Sequence, residues 1–182
     1  MAPGVLDERS ASGTRREGGF GSVPPAPGAR TVYGSFDSSA DRLPTSLNTS
    51  AGTLRRVKGV DGNFRMTLSG APLFKGEDAR WQYPVRSFNQ SGGREAILMA
   101  SSGGRGGSCE TLFFFLLVDA EKVGNTPLFG TCAPEGRFRQ RGDTIVLELP
   151  KTGGVSEVVL QDGEVVEDGR TITPDNLNDP AR

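Results

Sequence analysis

The chain has 182 residues, enough to bury a hydrophobic core and close to the size of one domain, particularly an all-β one. Hydrophobic residues make up 35% while glycine (26) and proline (12) are over-used, so part of the length is expected as loop or disorder. A formal charge of −1 and a pI near 5.6 argue against a nucleic-acid binder, although the charge is unevenly spread: residues 52 to 142 hold 13 Lys/Arg against 8 Asp/Glu, and residues 143 to 182 hold 3 against 9.

Residues 1 to 30 concentrate Gly18, Gly19, Gly21, Pro24, Pro25, Pro27 and Gly28 without a hydrophobic period, and are read as a disordered arm. Arg15-Arg16 within it is read as two solvated arginines, because no apolar stretch follows as an export signal requires. Residues 31 to 170 form one β-rich domain and residues 171 to 182 a polar tail. No segment approaches the roughly 18 consecutive apolar residues of a spanning helix; the longest run is Leu112 to Val118.

Thr31 to Phe36 is a candidate first strand, followed by a polar stretch to Ser50 that reads as a long loop. Asp61-Gly62 supplies a turn, after which Phe64, Met66 and Leu68 alternate with polar residues at the period of a half-buried strand. Trp81, Tyr83 and Val85 alternate in the same way, but Pro84 has no N–H to give a ladder, which places this strand at an edge or at a bulge. Glu95 to Ala100 is a further strand. Leu112 to Val118 is apolar on both faces and must be covered on both, as in a sheet lying between two other layers.

Asp119 to Gly124 then reads as a turn and Thr126 to Phe129 as a returning strand. Phe138 marks another strand. Ile145, Leu147 and Leu149 alternate until Pro150 ends the pattern. Val158 to Leu160 and Val165-Val166 flank Asp162-Gly163, a two-residue hairpin turn. No capped stretch at helical spacing occurs. The expected fold is all-β: an antiparallel sandwich, a small barrel or a meandering sheet.

Cys109 and Cys132 each adjoin an apolar segment, and a hairpin between them can bring them face to face. The alternative is a pair of buried free thiols in a cytosolic protein. With no histidine and only two cysteines, a four-ligand zinc site is not expected, nor is any cofactor.

Trp81 and Tyr83, with Arg80 and Arg86 nearby, are candidates for a recognition platform, weighed against simple packing on one strand face. Arg105, in the glycine-rich run Ser101 to Ser108, is a candidate anion contact in what otherwise reads as a connection between strands. The lack of histidine removes the common Ser-His and Cys-His nucleophile pairs. Glu95, Glu110 and Asp119 remain as carboxylates near predicted strands that an acid–base hydrolase could use.

From Ser108 to Pro150, the combination of Cys109, Phe113-Phe114-Phe115, Phe129-Gly130-Thr131-Cys132 and Gly142-Asp143-Thr144-Ile145 resembles a pattern in uncharacterised exported bacterial β-rich proteins. The resemblance covers about a quarter of the chain and carries no catalytic motif. It implies a bacterial envelope setting, periplasmic or secreted, and a Cys109–Cys132 bridge. The function expected on these grounds is a non-enzymatic binding module, of inhibitor or immunity type. Its partner would be another protein or an envelope component. The alternative is a carboxylate-dependent hydrolase of an envelope polymer.

Overall fold

The structure, a computed structural model, describes residues 28–39, 43–74, 82–102, 109 and 111–173. Most of the expected arm and tail therefore lies outside the described residues. The described chain forms antiparallel sheets and no helix beyond a single 3-10 turn at Ser91–Gly93, and the sheets do not close into a barrel.

The sheets make three layers. One outer layer is six-stranded, in the order β1 (Thr31–Asp37), β11 (Glu135–Arg141), β12 (Thr144–Lys151), β13 (Gly154–Gln161), β14 (Glu164–Glu167) and β15 (Arg170–Thr171). The middle layer runs β10 (Phe129–Cys132), β8 (Thr111–Val118), β7 (Glu95–Ser102) and β6 (Gln82–Asn89), with β9 (Val123–Asn125) also pairing with β8. The other outer layer is four-stranded: β2 (Ser46–Thr49), β3 (Gly52–Lys58), β4 (Phe64–Leu68) and β5 (Ala71–Pro72).

β8 explains this stacking. Its alternate side chains point to opposite faces. Phe113 and Phe115 join Phe36, Phe88, Phe129, Phe138, Leu147 and Val158 in the core beneath the six-stranded sheet, while Phe114, Leu116 and Val118 join Leu54, Met66, Ile97 and Met99 beneath the four-stranded one. Ring contacts tie the layers together on both sides. Phe36 meets Phe113 edge-on at 5.5 Å between centroids, and Phe74 meets Phe114 in the same manner at 5.6 Å.

Two local expectations are met in detail. β6 is the outermost strand of the middle sheet, and its register against β7 slips between Pro84 and Arg86, so the proline sits both at an edge and beside a bulge. Asp162 and Gly163 turn the chain with φ of +52° and +82°, between paired Gln161 and Glu164.

Two others are corrected. The polar stretch before Ser50, expected as one long loop, contains β2, and β3 follows at once. This outer layer needs apolar residues on only one face and uses few of them, Leu47, Leu54, Met66 and Leu68, so its period is faint. Pro150 does not end β12: it pairs with Val155 on β13. Alternation from the hairpin-closing pair Lys151 and Gly154 turns the Pro150 nitrogen toward β11, whose pairing with β12 has already ended at Arg137 and Glu148. The missing N–H thus deprives no partner.

Cys109 and Cys132 are joined, with sulfurs 2.06 Å apart, linking the approach to β8 with the end of β10. A second fastening is polar. Asp143, in the β11–β12 turn, accepts hydrogen bonds from the hydroxyl and the backbone N–H of Ser91 and from Arg94 Nη2 at 2.8 Å. Its own carbonyl accepts Gln90 Nε2 at 2.9 Å. The six-stranded and middle sheets are thereby pinned at one end.

Replacing both cysteines by serine is expected to lower stability by roughly 2 to 4 kcal/mol in urea denaturation; an unchanged midpoint would show the bridge to be dispensable. For Asp143→Ala the expected loss is about 1 to 3 kcal/mol at neutral pH. The Ser91 hydrogen bonds, then Arg94, hold the Asp143 carboxyl below its ordinary value. A depressed carboxyl stabilises the fold above its unfolded pKa and ceases to do so as pH falls through the folded one. The difference between wild type and Asp143→Ala should therefore be full at pH 7 and shrink below about pH 4; a pH-independent difference would contradict the assignment.

Candidate functional site

Of the residues singled out in the sequence for recognition, Trp81 and Arg105 lie outside the described residues. Tyr83 is only 8% exposed and belongs to the core beneath the six-stranded sheet. It does not present a ring to solvent. The Arg56 guanidinium of β3 lies against it, 5.5 Å from the Tyr83 centroid and 4.1 Å from that of Phe64; Arg80 lies outside the described residues. Burial pulls the Arg56 pKa below its ordinary value, with Tyr83 opposing. Arg86 lies against the same core, 4.2 Å from the ring centroid of Phe138.

Of the carboxylate candidates, Glu95 and Asp119 are engaged in structural roles. Glu95 Oε1 accepts the Ser50 N–H at 2.9 Å, tying β7 to the β2–β3 turn. Asp119 accepts the N–H groups of Glu121 and Lys122 at 2.8 and 2.6 Å, closing the β8–β9 turn. Glu110 lies outside the described residues. An acid–base pair needs one carboxyl held up and one held down. Asp61, Asp119, Asp143 and Asp168 are all held down, chiefly by hydrogen bonds from neighbouring side chains and backbone N–H groups.

The feature that stands out is the tip of the β3–β4 hairpin. Phe64, Met66 and Leu68 share the face of β4 that looks toward the middle sheet, yet Met66 is buried and Phe64 is 39% exposed. The end of the hairpin therefore overhangs the layer it packs on. At its extremity Val60 is fully exposed. An isolated exposed valine is ordinary on a protein surface; the distinguishing property here is how firmly its loop is held.

Asp61 makes that hold. Its Oδ1 accepts the Asn63 N–H at 3.1 Å and Arg65 Nη1 at 3.2 Å, and its Oδ2 accepts Asn63 Nδ2 at 3.2 Å and Arg65 Nη2 at 2.6 Å. The carboxylate thus closes an Asx turn and receives a two-pronged guanidinium at once. Those bonds, Arg65 first, hold its pKa far below the usual carboxylate range. Main-chain bonds from Gly59 N–H to Asn63 O at 2.8 Å and from Gly62 N–H to Gly59 O at 3.0 Å complete the loop. At Gly59 a Cβ would fall 2.6 Å from Arg65 Nη1 and 2.7 Å from Asp61 Oδ1, so a side chain there would have to displace the clamp itself. Gly62 supplies the positive φ, +80°.

Sequence reading identifies the Asp61-Gly62 turn but not its use. The available signal is a lone β-branched residue, Val60, inside a Gly-Val-Asp-Gly-Asn run that could have been wholly polar. No protein-family model, curated protein or solved structure matches the chain.

Proposed function

We propose that the protein is a non-enzymatic binding module of the bacterial cell envelope, of inhibitor or immunity type, which seats the β3–β4 hairpin tip in an apolar pocket of its partner. The observation that carries this reading is the clamped loop around a fully exposed Val60. A loop already fixed in one shape loses little conformational entropy on binding, which is the main cost that flexible loops incur. Phe64, held under the Arg56 guanidinium where the loop joins β4, extends the apolar surface. The envelope setting is supported by the Cys109–Cys132 bond, a chemistry favoured in oxidising compartments, and by the resemblance of the Ser108 to Pro150 segment to exported proteins.

The test is a pull-down from envelope extract with immobilised wild type, followed by titration of the captured component against variants. Val60→Asp is expected to weaken binding about tenfold or more, since burying a valine contributes roughly 1.5 kcal/mol. Asp61→Ala, which leaves Val60 in place and loosens its loop, is expected to weaken binding by a smaller factor. Undiminished capture by Val60→Asp would remove the hairpin from the interface.

A further inference from the structure

We infer that two copies of this chain pair antiparallel through the outer edge of β1, joining their six-stranded sheets into one continuous sheet across a two-fold axis at Gly34. The inference is independent of the hairpin tip, which belongs to the opposite outer layer.

β1 is an end strand, paired only with β11 among the described residues. The Ser38 N–H donates to Pro134 O at 2.8 Å, so the even-numbered positions of β1 exchange hydrogen bonds with β11. The N–H and C=O groups of Thr31, Tyr33 and Ser35 then point away from the sheet. End strands are usually protected by lysine, proline, a bulge or shortness. β1 has seven residues, no lysine and no proline, and its register with β11 is unbroken. It also leaves Val32 51% and Tyr33 73% exposed.

An antiparallel partner centred on Gly34 places Tyr33 opposite Ser35 of the second copy, and Ser35 opposite its Tyr33. Both are positions whose main-chain groups face outward, so about four main-chain hydrogen bonds flank the axis. At the axis itself two glycines meet. That is the close, non-hydrogen-bonded type of pair, where a side chain would be crowded. Gly34 cannot carry one in any case, because a Cβ would lie 2.5 Å from the Phe138 ring. On the same inner face, Val32 comes opposite Phe36 of the second copy and is covered.

The outer face argues for a second copy rather than an unrelated strand, because its charges are self-complementary. Arg141 stands opposite Thr31 at one end of β1, and Glu135 stands opposite Asp37 at the other. In the antiparallel pair Thr31 lies opposite Asp37 of the second copy, so each basic end meets an acidic end twice over. Between them, Arg137 lies behind the small Ser35 and can reach across it to the exposed Tyr33 ring of the other copy.

The experiment is sedimentation equilibrium of the full chain over a concentration series, with the expected mass rising from 19.3 kDa toward twice that value. Ser35→Pro removes an outward N–H without touching the β11 ladder and is expected to weaken the dimer at least tenfold. Arg141→Glu and Glu135→Arg, both on the exposed surface, should each weaken self-association several-fold through like-charge contacts, and a mixture of the two should restore it as a mixed dimer. A wild-type chain that stays monomeric at all concentrations overturns the inference. So does a dimer that is indifferent to Ser35→Pro, or two charge variants that fail to recover on mixing.

Discussion

β8 carries large apolar side chains on both of its faces, and a strand of that kind is stable only when both faces are taken out of water. Leaving Phe114, Leu116 and Val118 uncovered would cost roughly 1.5 to 3 kcal/mol for each side chain, a sum comparable with the whole stability of an ordinary domain. A two-layer sandwich is therefore not open to this sequence. The four-stranded sheet meets the requirement by covering the second face.

Much of the remaining architecture follows from that stacking. The outer sheets each bury a single face, which leaves their other faces rich in charge and their ends available for contacts. Cys109–Cys132 secures the approach to β8 and the strand beside it, and Asp143 fastens the β11–β12 turn to the β6–β7 turn. Because the four-stranded sheet covers β7 and β8 with only a few apolar residues, its β3–β4 end extends past the middle layer. The overhang puts Val60 and Phe64 at the surface, and the Asp61 clamp fixes their geometry.

The sequence makes the middle layer and the C-terminal hairpins legible because their signals are local and strong: seven apolar residues in a row at Leu112 to Val118, a proline inside an alternating strand at Pro84, and Asp162-Gly163 between two valine-rich runs. β2 and β3 are hidden because a strand with one thin apolar face is nearly indistinguishable from polar loop. Pro150 misleads because its effect depends on which neighbour its nitrogen faces, a property of the sheet and not of the residue. Tyr83 is found as a strand residue, yet only the packing shows that its ring is enclosed beside Arg56. The clamp at Asp61 is legible as a turn and not as a rigid one, since the role of Arg65 depends on the side-chain geometry of the folded hairpin.

Phe113 and Phe114 are adjacent in sequence and buried in different cores, one beneath each outer sheet. Comparing Phe113→Ala with Phe114→Ala by chemical denaturation tests the three-layer account most directly. Burial on both faces predicts that each substitution costs roughly 3 to 5 kcal/mol. A large loss for one and a change under about 1 kcal/mol for the other would mean that one face of β8 is open to solvent, and would contradict the account.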